Sequence, residues 1–348
     1  MSAVLRVLLV NDSATVRAAL RIALESHPDV SIVGEVADGA MAASTTAALR
    51  PNVVLMDVVM PRIDGYEATR AIMAEAPTPV VMISAVEDAS QENVVLRALG
   101  AGALSIVKLP AGPVDGASRS AWAGLVQLLR TMAGARVGAA PLSTPMTFPT
   151  PSPMPAPASR FAAIGIVTSA GGPQALASVL GALSGRSMPP ILLVQHMAAG
   201  FSGGFGAWLA AEAKFPVKVA RPGEFLLPST AYIAPEDRHI GVGSDGVVIL
   251  SDAPATNSFR PSGDFLLSSL ARAHGRNAIG VVLTGMGSDG ARGASELHDA
   301  GGIMIAESAE SAIIDGMPGA VRARGAANRV LALSSIPDYL VTLTQGAR

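Results

Sequence analysis

Three residues in the C-terminal half have the types that acyl transfer requires. Ser169 stands in Val167-Thr168-Ser169-Ala170-Gly171-Gly172-Pro173, His196 in Val194-Gln195-His196-Met197, and Asp289 in Leu283-Thr284-Gly285-Met286-Gly287-Ser288-Asp289-Gly290. The chemistry needs a hydroxyl nucleophile, an imidazole to take its proton, and a carboxylate to fix the imidazole's tautomer. Glycines after Ser169 permit a tight turn, Pro173 suits a first helical position, and backbone N–H groups near Ala170 and Met286 are placed to hold an oxyanion. A second set lies in the N-terminal half: Asn11, Asp12, Asp57, Ser84 and Lys108. Two carboxylates and an amide make a hard-oxygen site suited to Mg²⁺, and an aspartate neutralised by a metal can accept a phosphoryl group.

Each of these residues closes a short apolar run, follows it within two residues or, for Asp289, lies in the loop after it. Sites in open parallel sheets form beyond the carboxyl ends of the strands, so that placement is informative. In the N-terminal half the spacing predicts five βα units: Leu5–Val10 with Val16–Glu25, Ser31–Val36 with Ala40–Leu49, Val53–Met56 with Tyr66–Ala74, Val80–Ile83 with Glu92–Leu99, and Leu104–Val107 with Ala121–Met132. That alternation implies a doubly wound parallel sheet. The run Pro141–Pro157 holds seven prolines in 17 residues and reads as a semi-rigid spacer. Residues 1–130 are therefore expected to form one domain, 131–160 a linker and 161–348 a second domain. Beyond the linker come Ala162–Thr168 with Gln174–Leu183, Ile191–Gln195 with Phe201–Glu212, a hairpin region Ala231–Leu250 turned by Gly243-Ser244-Asp245-Gly246, then Phe265–His274, Ala278–Thr284, Gly293–Ala300, Ile303–Ala306 and Pro337–Gln345. This half is also read as doubly wound α/β.

Each candidate alone has a plainer explanation. An aspartate after a strand is usually a turn or cap residue, a serine in a glycine-rich turn is usually a cap, and one histidine is usually structural. Joint placement at successive strand ends reverses that weighting. Of the other histidines, His27 and His274 sit near helix C-termini, where the dipole favours a cation, and His298 lies within a helix, so all three read as structural. His239, after Pro235-Glu236-Asp237-Arg238, keeps a smaller claim to line the site, and its substitution by glutamine is expected to leave activity intact. The order Ser…His…Asp and the absence of G-x-S-x-G disfavour the familiar esterase folds, and Ser-Ala-Gly-Gly-Pro matches neither G-x-G-x-x-G nor a P-loop.

Composition removes other classes. The 348-residue chain is 50% hydrophobic and 15% charged, with 25 Lys+Arg against 27 Asp+Glu, a net charge of −2. Residues 161–348 hold 13 Lys+Arg and 14 Asp+Glu, net −1, which gives no electrostatic support to nucleic-acid binding. No apolar run approaches the roughly 18 residues of a membrane span, and Met1–Val10 lacks a signal-peptide cleavage pattern. With no cysteine, disulfides and thiol chemistry are excluded, and a cytoplasmic protein without membrane insertion is expected.

V-N-D-S, L-M-D-V-V-M-P-R-I-D-G, M-I-S-A and G-A-L-S-I-V-K-L-P resemble the receiver domain of two-component response regulators over residues 1 to about 130. The resemblance implies strand order 2-1-3-4-5, Asp57 as phosphoacceptor, Asp12 as a Mg²⁺ ligand and Ser84 as the switch hydroxyl. Two departures stand out. Asn11 occupies a position that is usually aspartate, which leaves any metal site one charge short. Lys108 comes one residue before the usual place of the phosphate-pairing lysine, now Leu109, and a one-residue shift on a strand turns a side chain to the other face unless a bulge intervenes.

S-A-G-G-P, V-Q-H-M, Y-I-A-P-E-D-R-H, R-P-S-G-D, V-V-L-T-G-M-G-S-D-G and D-G-M-P resemble the catalytic domain of the chemotaxis protein-glutamate methylesterase and glutamine deamidase family, CheB, over roughly 161–345. The resemblance implies Ser169 as nucleophile, His196 as base and Asp289 as the orienting acid. It also implies methylated chemoreceptors as substrate, a histidine kinase of a chemotaxis-type array as phosphodonor, Mg²⁺ for the receiver, and no cofactor for hydrolysis. Val167 and Ala170 depart from the family's G-A-S-T-G-G pattern, and Asn11 with Ser-Ala-Gly-Gly resembles the branch that serves surface-sensing, Wsp-type arrays. The rival readings are a receiver-controlled small-molecule esterase and a non-catalytic docking module.

Overall fold

The computed structural model describes residues 4–84, 97–110, 118–137, 160–197, 202–257 and 259–345. The chain divides into two compact units, Met1–Met146 and Thr147–Arg348. The proline-rich run Pro141–Pro157 and residues 92–96 of the expected helix Glu92–Leu99 lie outside the described residues.

In the first unit, β1 (Leu5–Val10), β2 (Val30–Val36), β3 (Val53–Asp57), β4 (Val80–Ser84) and β5 (Ser105–Lys108) form a sheet in the order β2-β1-β3-β4-β5. All four pairings are parallel. Val53–Met56 and Val80–Ile83 are wholly buried, as strands covered by helices on both faces must be. The connecting helices are Ala14–Glu25, Ala42–Leu49, Gly65–Glu75 and Arg119–Met132. Ser13 caps the first by accepting the Val16 N–H at 3.3 Å, and Asp64 caps the third by accepting those of Tyr66 and Glu67 at 3.0 and 2.9 Å, so the first helix opens just past Asp12 and the third a short loop beyond Asp57.

In the second unit, β6 (Ala163–Thr168), β7 (Ile191–Gln195), β8 (Val217–Val219), β9 (Ala231–Ile233), β12 (Ala278–Val282), β13 (Ile303–Glu307) and β14 (Arg329–Leu331) form an all-parallel sheet in the order β14-β13-β12-β6-β7-β9-β8. The chain starts at the centre, winds out one way through β7, and crosses back to the other side at β12. The carboxyl ends of β12, β6 and β7 are therefore neighbours, at the topological switch where such sheets place their sites. A separate hairpin, β10 (His239–Val242) with β11 (Val248–Ser251), packs on the helix Gly263–His274, where Ser269 Oγ accepts the Val242 N–H at 3.2 Å.

The hairpin reading needs one correction. Ala231–Ile233 is a strand of the main sheet, because its three buried residues pair in parallel with β7 and β8, and only 239–251 folds back on itself. The sequence reading also passed over β8, β14 and the helix Gly316–Ala323, elements too short to show a period. No helix among the described residues is long and apolar enough to cross a membrane.

Candidate active site

The first unit brings its polar residues to one end of the sheet. Asp57 closes β3, Asn11 and Asp12 follow β1, and Ser84 closes β4 as a buried residue. Burial, with the like charge of Asp12 adding to it, pushes the Asp57 carboxyl up to about 6 against the opposing N–H bonds of Val59 and Val58. Such a group is held ready for partial neutralisation. Two carboxylates at adjacent strand ends are the oxygen donors a Mg²⁺ ion takes from a protein, so Asp12 and Asp57 fit that ion.

Asn11 Oδ1 accepts the Ser13 N–H at 2.8 Å, which fixes the amide's orientation, so its Nδ2 donates to Asp57 Oδ2 at 2.5 Å. Lys108 is exposed at the end of β5, and the β4–β5 register runs unbroken from Val81–Ser105 to Ser84–Lys108, so no bulge among these pairs moves the lysine on by one position.

The second unit assembles a tighter constellation. Ser169 follows β6, His196 follows β7, and Asp289 lies in the loop after β12. His196 Nε2 and Asp289 Oδ2 are 2.8 Å apart. With the Nε2 hydrogen on the carboxylate the lone pair falls on Nδ1, a buried atom with no hydrogen-bond partner among the described residues. Asp289 is itself buried beside the helix Gly263–His274, where the Ser262 hydroxyl donates to Oδ1 at 2.7 Å, the Gly263 N–H to Oδ2 at 2.6 Å and the Asp264 N–H to Oδ1 at 3.2 Å. Burial pushes this carboxyl up, but the bond and charge of His196, the Gly263 N–H and the Ser262 hydroxyl together hold it below the usual carboxylate range. Asp289 therefore stays ionised and acts as a fixed anchor.

The turn of Ser169 is held from one side by Gln195. Gln195 Nε2 donates both to Ser169 O at 2.8 Å and to His196 O at 2.7 Å, so one buried amide joins the two strand ends. Only glycine fits at 172, where a Cβ would meet Gln195 Oε1 and Thr168 Oγ1 at 2.1 Å each. On the other side the Ser169 N–H donates to Thr284 O at 3.1 Å, and Thr284 Oγ1 donates to Ala170 O at 2.9 Å while accepting the Ile314 N–H at 2.9 Å. The Thr284 N–H is taken by the buried carboxylate of Glu307 at 2.8 Å. Among the described residues the N–H groups of Ala170 and Met286 donate to nothing, which leaves both available to a ligand.

His239 is fully buried and does not line the cleft. Its Nδ1 accepts the Ser262 N–H at 3.2 Å and its Nε2 lies 3.2 Å from Pro254 O, so it braces the segment whose serine bonds Asp289. His239→Gln is consequently expected to perturb the site from behind, contrary to the sequence reading of a tolerated change. Burial lowers His274 in spite of its helix-end position. Gln195, Ser262 and Thr284 escaped the sequence search. Ser262 carried a signal, since Ser-Gly-Asp before an apolar-periodic run marks a helix cap, and its hydroxyl does accept the Phe265 N–H at 3.4 Å.

Sheet and site together define a protein in which a receiver precedes an α/β hydrolytic domain with Ser169, His196 and Asp289 beyond neighbouring strand ends at a switch point. The description CheB methylesterase matches residues 164–340, and that of the response regulator receiver domain matches residues 7–115. The chain is 41% identical over 346 residues to "Protein-glutamate methylesterase/protein-glutamine glutaminase 3" of Anaeromyxobacter dehalogenans (strain 2CP-C), covering 97% of this chain and 98% of that one. It is 42% identical over 353 residues to "Protein-glutamate methylesterase/protein-glutamine glutaminase 4" of Myxococcus xanthus (strain DK1622), covering 99% and 98%. The crystal structure of the Thermotoga maritima CheB methylesterase catalytic domain superposes with a TM-score of 0.51 at 36% identity, covering 53% of this chain and 99% of that one. The chain belongs to the CheB methylesterase family.

Proposed function

We propose that this chain hydrolyses glutamate methyl esters, and deamidates glutamine, on chemoreceptor proteins under control of phosphorylation at Asp57. The observation that carries the reading is the bond between His196 Nε2 and Asp289, which leaves Nδ1 without a partner among the described residues, at the strand end that Gln195 ties to the turn of Ser169. Ser169 Oγ attacks the side-chain carbonyl carbon of the methylated glutamate while His196 Nδ1 takes the hydroxyl proton. The imidazolium so formed is stabilised by Asp289, and the carbonyl oxygen gathers negative charge facing the N–H groups of Ala170 and Met286. The ester C–O bond then breaks, His196 returns its proton to the departing methanol, and an acyl-serine remains. His196 next draws a proton from water, hydroxide adds to the acyl carbon, and the Ser169 oxygen leaves with that proton. A glutamine side chain passes through the same steps with ammonia leaving.

In the receiver, Asp57 would take the phosphoryl group from a histidine kinase. Mg²⁺ held by Asp12 and Asp57 would supply charge neutralisation there. Asn11 holds Asp57 Oδ2, and Ser84 stands at the adjacent strand end to follow the phosphoryl group. The protein would act in the cytoplasm, on receptor segments exposed there. Methanol release from membranes bearing methylated receptor, with and without phosphodonor, is the test. Release that rises with phosphodonor supports the reading. Turnover of soluble esters alone points to a small-molecule esterase, and no covalent adduct with a fluorophosphonate at Ser169 points to a docking module.

A further inference from the structure

Phe259 lies flat on the His196 imidazole, with ring centroids 4.0 Å apart and planes inclined by 7°. We propose that Phe259 is a positioning residue for the base, covering one face of the imidazole so that the ring keeps the orientation in which its Nε2 meets Asp289. The proposal rests on the reading of His196 as that base. A single edge bond from Nε2 to Asp289 fixes one point of the ring and leaves it free to tilt about that bond. A parallel aromatic at van der Waals distance removes the tilt, because any rotation drives an imidazole edge into the phenyl face. The same face keeps water off and presents π-electron density to the cation that forms when Nδ1 takes the serine proton.

The local chain is built to hold that ring still. Thr256 and Phe259 exchange backbone bonds, N–H to O at 3.0 and 2.9 Å. The next residue, Arg260, makes a two-pronged bond to Asp237 at 2.8 and 2.7 Å and also donates to the carbonyls of Asp252 and Ala253. Ser262, two residues further, bonds Asp289 through its hydroxyl and His239 through its N–H. The segment that carries the phenyl ring therefore ends on the carboxylate that grips the imidazole edge. Phe259 covers the face, and Ser262, three residues further along, bonds the carboxylate that holds the edge, so the two constraints are linked through one short segment.

The experiment measures kcat and KM for methanol release by the full chain as wild type, Phe259→Leu, Phe259→Tyr, His196→Gln and the Phe259→Leu/His196→Gln pair, each with its thermal unfolding curve. Leucine restores most of the buried volume but has no flat face, whereas tyrosine keeps the ring. Loss of about 10- to 100-fold in kcat with unchanged KM is expected for Phe259→Leu, on the scale set by a misaimed catalytic group. Phe259→Tyr should recover wild-type kcat, and Phe259→Leu should cost nothing further once His196 is gone. Wild-type kcat in Phe259→Leu, or an equal loss in Phe259→Tyr, would overturn the proposal. Should leucine unfold the chain, Phe259→Met takes its place under the same criterion. A fully active His196→Gln would remove the base itself and the proposal with it, while an inactive His196→Gln beside a normal Phe259→Leu would sink only the stack.

Discussion

Gly285 lies where one added methyl group would collide with Ser169. A Cβ built at that position stands 2.8 Å from Ser169 Cβ, 3.1 Å from Ser169 N and 2.3 Å from Met317 Sδ. Carbon atoms rest at about 3.5–4.0 Å, so Gly285→Ala must displace the serine by roughly 1 Å unless Gly285 itself retreats. Retreat is blocked, because the Gly285 N–H donates to Ile314 O at 3.0 Å and its carbonyl accepts the Met317 N–H at 2.9 Å. Met317 is fully buried and cannot swing into solvent. The overpacking should cost about 1–3 kcal/mol of stability. The misplaced serine should cost about 100-fold in kcat. Methanol release and thermal unfolding of the purified full chain measure both. A folded Gly285→Ala protein within a factor of a few of wild-type rate would refute the claim that this glycine keeps open the space occupied by Ser169.

Further outcomes follow from the same geometry. His196→Gln and Asp289→Asn should each lower kcat by about 10³-fold or more, and pairing either with Ser169→Ala should add little, since groups acting as a unit are non-additive; full additivity in the rate assay would count against a triad. Burial raises the Glu307 carboxyl, and a group raised on folding contributes stability that is present below its unfolded value and lost as pH rises through the folded one. Glu307→Gln, which keeps the shape and loses the charge, should therefore gain stability relative to wild type as pH climbs from the acid range to neutrality; a difference in unfolding temperature that is flat with pH would contradict this. Asp57→Asn should abolish uptake from a small phosphodonor, and Lys108→Ala should leave it near wild type because the β4–β5 register keeps Lys108 out of the usual lysine position. Asn11→Asp should tighten Mg²⁺ binding, read by titration of the unphosphorylated chain, and unchanged affinity would show that Asn11 does not limit the site.

The parts of this molecule that were legible in sequence are those where a polar residue interrupts strong local apolarity. Ser169 and His196 were visible because each lies just past a run such as Ile191–Val194, whose continuous apolar character marks a strand covered on both faces, and Asp289 because it lies in the glycine-rich loop after such a run. Asp57 and Asn11 were visible for the same reason. The supporting groups were not, because their roles are set by which strand ends become neighbours. Gln195 adjoins His196 in sequence, yet its bond to Ser169 O exists only because β6 and β7 pair. Phe259 sits in a loop without periodicity, and nothing local announces that its ring covers an imidazole 63 residues earlier, at His196. Asn11 was recognised as unusual, but its amide direction depends on the Ser13 N–H, a turn detail that residue types do not reveal.

The central claim, that Ser169 carries hydrolysis of a methylated receptor, is tested most directly by methanol release from receptor-bearing membranes with wild-type and Ser169→Ala full-length chains. Removal of the nucleophile from a working triad costs about 10⁴- to 10⁶-fold, so release by Ser169→Ala should fall to background while its unfolding curve matches wild type. A folded Ser169→Ala protein that kept a tenth of the wild-type rate would contradict the account.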